Sequence, residues 1–418
     1  MKVLGFDNWT GGAHHFARLL PAFQRHGLEM KLVHLGSWGN DPDRPAREKF
    51  GELEVRDISS YGSQSLARLL DVEQPDAVLF FSTDTFAHRA LNRYCRMRGI
   101  PTVHVFHGVI GVQAINRGSM YKVSFVAQAR FASSRLYKAF RHVWPAYWGS
   151  LWSTGASGRE WRRFAEDILN ITGGRFIKVS ADDARTSKCG VYTAADIGYA
   201  RDKYGFAAGD VVAVGNPDLI QFGLTADLID SHLNDPRPEA VDVMYIDTGL
   251  VYTGWVFTSE VEFIEHILHT KQALERQGRR LLFKPHPDHR RSTVLARLQE
   301  AGVEVCANQD LVPRLRNCCA AITEPSSLSL VPALMGLPLF LASFGKLRGC
   351  PYGEVLLTYP RAMLLEEVDE ANRLLQEAER HDPAATRAWI LENAGPLPAE
   401  QMPDRVAALC TGLLQPRA

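Results

Sequence analysis

Two short stretches of this 418-residue chain carry donors of the kind that hold a phosphate. The first, Leu281-Leu282-Phe283-Lys284-Pro285-His286-Pro287, is an apolar strand running into a turn with one ammonium and one imidazole. The second, Ile322-Thr323-Glu324-Pro325-Ser326-Ser327-Leu328-Ser329, feeds the apolar run Leu330 to Leu341. In an open parallel sheet, ligands sit outside the carboxyl ends of strands. A helix starting at Ser326 or Ser327 points unpaired N–H groups, hydroxyls and a positive dipole end at one place. Lys284 and His286 add side-chain donors. Taken singly, Pro-His-Pro is equally a rigid surface turn and Ser-Ser an ordinary helix N-cap. In this order, each behind a buried-type strand, they predict an anion site for a nucleotide monophosphate or diphosphate.

The Lys284-Pro285-His286-Pro287 turn followed by Ser326-Ser327 resembles the HP and S-S motifs of bacterial sialyltransferases, polysialyltransferases and capsule Kdo transferases. The resemblance is specific in the second half of the chain and architectural in the first. It implies an α/β protein of GT-B architecture, two Rossmann-like domains facing across a cleft. It further implies a glycosyltransferase that moves a nonulosonic or ulosonic acid, such as sialic acid or Kdo, from a CMP-activated donor. The acceptor would be a glycan or lipid-linked oligosaccharide of bacterial surface polysaccharide synthesis: capsule, O-antigen or lipopolysaccharide. His286, Ser326 and Ser327 would contact the CMP phosphate, with Lys284 and Pro287 beside them. Glu324 is expected to take the ribose hydroxyls, and Asp247-Thr248-Gly249 to line the other wall of the donor site. No metal or cofactor is expected. His14, His15, His286 and His289 lack the spacing of a closed ligand set.

One departure concerns the base. Related sialyltransferases carry an acidic pair followed by glycine in the first domain, whereas Asp182-Asp183-Ala184 lacks the glycine and Asp7-Asn8-Trp9 is a partial echo. Inversion and retention both stay open. Two other enzyme classes share features. Teichoic-acid-type CDP-polyol phosphotransferases have a similar HP turn and Ser-Ser segment. UDP-N-acetylglucosamine 2-epimerases share the fold but would carry Ser-Gly-Gly and Glu-Glu where Ser326-Ser327-Leu328-Ser329 stands. A non-enzymatic scaffold is the remaining class.

The elements that must position these residues follow from periodicity. Lys2 to Phe6 is a strand, Asp7 to Gly12 its loop, Ala13 to His26 one helix and Met30 to Leu35 the next strand. The loop lacks GxGxxG spacing; in GT-B enzymes the equivalent loop faces the acceptor, which places Asn8, Trp9, Gly11 and Gly12 on that side. Asp76 to Phe81 and Thr102 to Phe106 are strands, separated by the helix Ala87 to Arg98. Asp7, Asp84 and His107 thus fall at strand ends on one rim, and are the candidate bases in that order. Residues 117–165 interleave Arg and Lys with Trp and Tyr. That pattern suits a membrane-surface face, a platform for a sugar acceptor, or a helical insertion packing into the core. Further strands are expected at 176–180 and 211–214, and the polar Asn234-Asp235-Pro236-Arg237-Pro238 reads as a linker. Beyond it, strands at 241–246, 281–283, 303–306, 320–322 and 337–341 alternate with helices. The expected domains are 1–235, 240–390, and a C-terminal helix within 391–418 bracing the first.

Composition sets the outer bounds. A hydrophobic share of 46% marks a globular chain, and 47 basic against 47 acidic residues exclude a global field for nucleic acid. Seven cysteines without CxxC spacing suit free thiols. Without a signal pattern or a transmembrane-length run, a cytoplasmic protein is expected, at most peripheral on the inner face of the membrane.

Overall fold

The computed structural model describes residues 1–7, 12–38, 45–62, 65–109, 139–172, 181–234, 240–253, 256–287, 289 and 292–414. Asn8, Trp9, Gly11, the strand expected at 176–180 and all but the first residue of the linker expected at 234–238 lie outside them, as does the first part of the aromatic and basic segment. The chain forms two compact units, and each has its own sheet.

Unit 1 takes in the described residues of Met1–Gly108, Gln128–Gly215 and Glu400–Ala418. Its strands are β1 Lys2–Asp7, β2 Glu29–His34, β3 Arg47–Phe50, β4 Leu53–Asp57, β5 Ala77–Phe80, β6 Thr102–Val105, β7 Lys188–Val191 and β8 Val211–Ala213. They are ordered β3-β4-β2-β1-β5-β6-β7-β8, all parallel except the antiparallel β3–β4 edge. Four-residue runs such as Ala77-Val78-Leu79-Phe80 are apolar throughout because both sheet faces are covered. The order reverses direction between β1 and β5, so the carboxyl ends of those strands form the switch point of this sheet.

The helix expected over 13–26 is in fact two, α1 Ala13–Ala17 and α2 Leu20–Arg25. Pro21 is the reason: without an N–H it cannot bond to the carbonyl one turn back, and its ring crowds that turn. Helix α3 Phe86–Met97 starts where the Thr85 hydroxyl accepts the His88 N–H. The described part of the aromatic segment is a helical hairpin, α4 Trp144–Ser153 and α5 Gly158–Thr172. The C-terminal helix Met402–Leu414 packs on α2, β6 and β7 within this unit, and Asp404 meets Arg25 at 2.7 Å.

Unit 2 includes the described residues of Asn216–Ala399. Strands β9 Asp242–Ile246, β10 Arg280–Lys284, β11 Glu304–Val305, β12 Cys318–Thr323, β13 Leu339–Ala342 and β14 Ala362–Leu365 lie in the order β11-β10-β9-β12-β13-β14. Every pairing is parallel. Residues 337–341 were expected to hold the last strand, yet β14 follows them. It is a short edge strand, only partly buried, so its sequence lacks the continuous apolar run of β13. Helix α6 Glu260–Arg276 opens with a capping box: the Ser259 hydroxyl accepts the Glu262 N–H, and Glu262 accepts the Thr258 N–H at 2.7 Å. Among the described residues, no helix is long and apolar enough to cross a membrane.

Candidate functional site

In unit 2 the switch point falls between β9 and β12, and the register puts three strand ends side by side. Ile246 of β9 is level with Lys284 of β10 and with Thr323 of β12. The loops leaving those strands are therefore neighbours: Asp247-Thr248-Gly249, Pro285-His286-Pro287 and Glu324-Pro325-Ser326-Ser327. The structure brings together the donor-side residues singled out from sequence.

Asp247 ties two of these loops. One carboxylate oxygen accepts the Gly249 N–H at 2.9 Å, and the other accepts the His286 N–H at 2.9 Å and meets His289 Nε2 at 2.8 Å. The His289 ring is buried against Phe263, with its Nδ1 on the Tyr252 hydroxyl. Nothing in the sequence singled out His289 for this, because its role depends on a contact across two strand ends. Gly249 sits at φ +73, and a Cβ there would meet His286 Nδ1 at 2.8 Å. The imidazole is thus seated on the glycine. Gly249→Ala should destabilise the chain by roughly 1–3 kcal/mol through left-handed strain and displace the ring. Urea denaturation checks the first effect and nucleotide titration the second.

Glu324 does not face outward as expected for a ribose contact. It is fully buried; one oxygen bonds the Tyr245 hydroxyl at 2.9 Å, and the other accepts the Thr248 N–H at 3.0 Å and hydroxyl at 2.6 Å. Burial, then the nearby Asp247 carboxylate, pushes its carboxyl up to about 8. The Tyr245 hydroxyl donates to Glu324 and also lies 3.2 Å from His266 Nε2. Burial holds His266 down at about 4. The folded-state value of Glu324 lies above the ordinary 4.5, so its share of stability is present at low pH and declines as pH rises from 4.5 to about 8. Glu324→Gln, which keeps the neutral pattern, should flatten that decline. Melting curves at intervals between pH 5 and pH 8 test this, and parallel curves for the two proteins would refute it.

Lys284 also departs from expectation. It is buried, and its ammonium turns back onto the Pro285 carbonyl at 2.8 Å, so it braces the turn. The Ser-Ser segment is not the start of a long helix. Ser327–Ser329 is a 3-10 turn capped by the Ser326 hydroxyl, which accepts the Leu328 N–H at 3.2 Å. It runs into α7 Leu330–Leu334, too short for a strong macrodipole. What this segment offers an anion is local N–H and O–H donors. Behind it, the buried Tyr352 hydroxyl donates to the Thr323 carbonyl at 2.6 Å and fixes the end of β12.

In unit 1, Asp7, Asp84 and His107 do lie at the ends of the adjacent strands β1, β5 and β6. Asp7 is buried, with one oxygen 3.9 Å from His88 Nε2. Burial pushes Asp84 up, but Lys203 at 3.1 Å and the Tyr204 hydroxyl at 2.6 Å outweigh it and hold the carboxyl low. A carboxylate so engaged is a poor proton acceptor. His107 is exposed, and its Nδ1 lies 2.9 Å from the Phe81 carbonyl. That bond puts the proton on Nδ1 and leaves Nε2 as acceptor. Gly12 caps α1 beside this rim. His15, His88 and His104 crowd the same region and were not anticipated. Burial holds all three far below the usual imidazole range, so they are neutral packing groups.

No protein-family model matches the chain, and no curated protein does. Solved structures do. A variant of the wall teichoic acid polymerase TagF superposes with a TM-score of 0.52 at 11% identity, covering 99% of this chain and 89% of that one. The spinosyn forosaminyltransferase SpnP matches at 0.48, with 14% identity over 98% and 99% of the two chains. The UDP-GlcNAc 2-epimerase from Methanocaldococcus jannaschii matches at 0.46, with 11% identity over 99% and 100%. At these identities the likeness speaks for the fold alone, and only the TagF superposition is near enough to carry it. The chain is an α/β protein of two Rossmann-like units with the GT-B type of fold.

Proposed function

We propose that the protein is a nucleotide-dependent transferase whose donor site is the β9–β10–β12 rim of unit 2, and that its leaving group is CMP. The observation that carries this reading is the Asp247 clamp. One buried carboxylate holds the Gly249 loop and the His286 turn in register beside Ser326 and Ser327, which pre-organises donors for a departing phosphate. The first reading is glycosyl transfer from a CMP-linked sugar acid. The bond from the anomeric carbon to the phosphate oxygen breaks, a bond from that carbon to an acceptor hydroxyl forms, and the hydroxyl proton passes to a base. The second reading is favoured by the TagF likeness, since a TagF structure that superposes with a TM-score of 0.51 was solved after a 30-minute CDPG soak. There the phosphoanhydride of a CDP-polyol breaks and polyol phosphate moves to the acceptor. CMP leaves in both. Incubating the protein with a CMP-sugar acid or with CDP-glycerol, and following CMP release alongside acceptor mass, separates them. No CMP from either would remove both.

For the base we propose the unit 1 rim, with His107 ahead of Asp7. His107→Ala should lower turnover by about 10²- to 10⁴-fold and leave CMP affinity within a factor of about two. Asp7→Asn belongs beside it in the same assay. If only Asp7→Asn is silent, the proton goes to His107; if both variants keep full rates, the base lies elsewhere.

A further inference from the structure

The hairpin of α4 and α5 in unit 1 exposes aromatic side chains that packing alone does not account for. Trp152 is 78% exposed, Trp148 57% and the neighbouring Leu169 70%, and Phe140, in the helical turn Ala139–Val143 that leads into α4, is 71% exposed. Along α4, Tyr147, Ser150 and Leu151 face inward, while Pro145, Trp148 and Trp152 form the opposite face at helical spacing. Along α5, Phe164 and Asp167 face inward, while Arg159, Arg162, Glu166 and Leu169 face out. Trp148 packs edge-on against Trp161 at 5.1 Å, which joins the two helices on the outer side.

The hairpin is firmly anchored from beneath. Arg89 of α3, 1% exposed, bonds Asp183 at 3.0 Å, Asp167 at 3.1 Å and the Tyr147 hydroxyl at 3.0 Å. Arg93 holds Glu160 and the Thr154 hydroxyl. This arrangement also sorts the charges. Asp167 and Glu160 are drawn toward α3, so the outer side of the hairpin and of the turn before it carries Arg141, Arg159, Arg162 and Arg163; Arg162 pairs with Glu166 at 2.9 Å, and Asp182, in the short helix Ala181–Ala184, lies 3.7 Å from Arg163. Cations around exposed Trp and Phe complement a surface with an apolar interior and anionic headgroups. A second copy of the same face would bring these arginines against one another.

We propose that the α4–α5 hairpin docks the protein on an anionic lipid bilayer, with Phe140, Trp148 and Trp152 entering the headgroup boundary. This is independent of the donor-site reading. The full chain should co-sediment with phosphatidylcholine vesicles containing phosphatidylglycerol, bind phosphatidylcholine alone weakly, and release as salt rises. A Phe140→Ser/Trp152→Ser variant removes the two most exposed rings and should bind the mixed vesicles about tenfold or more weakly. Its melting temperature should match the parent's, and Leu357→Ser, an exposed site in unit 2, should bind as the parent does. Failure of the parent to bind the mixed vesicles would overturn the proposal, as would undiminished binding by the double variant. So would self-association of the parent that the double variant abolishes, which would assign the face to a second copy.

Discussion

His286→Ala is expected to cut donor turnover by about 10²- to 10³-fold without unfolding the protein, the usual effect of deleting one pre-organised donor to developing phosphate charge. The fold should survive because the anchoring bond to Asp247 comes from the His286 backbone N–H, which alanine keeps. The ring itself rests on Gly249 and is only partly buried. A Ser326→Ala/Ser327→Ala variant should lose comparable activity. It also loses the Ser326 cap on Leu328, which costs about 1 kcal/mol of stability. Activity must therefore be read well below the melting temperature of that variant. Parent-like turnover in either protein would take the phosphate site out of the mechanism.

The largest effect on stability is expected at Arg89. Replacing it with Met leaves Asp167 and Asp183 buried without their shared cation, and breaking a buried ionic cluster in this way costs about 3–5 kcal/mol. Tyr147 would keep its bond to Asp183, so part of the cluster persists. Adding Asp167→Asn and Asp183→Asn should recover part of the loss, because the penalty comes from uncompensated charge more than from lost packing. Urea unfolding of the parent, the single variant and the triple variant measures this. A single variant as stable as the parent would mean the hairpin is held by its apolar contacts and the Arg93 bonds to Glu160 and Thr154, without help from the Arg89 cluster.

The double strand–helix alternation was legible because parallel strands covered on both faces are nearly continuous apolar runs. Ala77-Val78-Leu79-Phe80 and Leu281-Leu282-Phe283 stand out for that reason. Where a single residue overrides periodicity, the sequence expectation failed: Pro21 splits the first helix. The partly buried edge strand β14 was missed because pairing on one side leaves no strong pattern. At the candidate site, the strand ends that carry the loops were legible and the orientation of the side chains was not. Lys284 and Glu324 both lie at strand ends beside His286, yet one turns back on its own turn and the other is sealed beneath Thr248. Their positions follow from the register, whereas the direction of Glu324 follows from Tyr245 and Thr248, 79 and 76 residues away. Arg89 illustrates the same limit, since its partners lie 78 and 94 residues away.

Binding of a cytidine nucleotide to the Asp247-organised rim is open to a direct measurement, thermal unfolding of the full chain against CMP. A ligand present at a hundred times its Kd stabilises the native state by about 2.7 kcal/mol, a shift of several degrees. CMP should raise the melting temperature of the parent in this way, UMP should raise it less, and His286→Ala should show a much reduced response. A melting temperature unmoved by CMP, CDP and UDP alike would contradict the account.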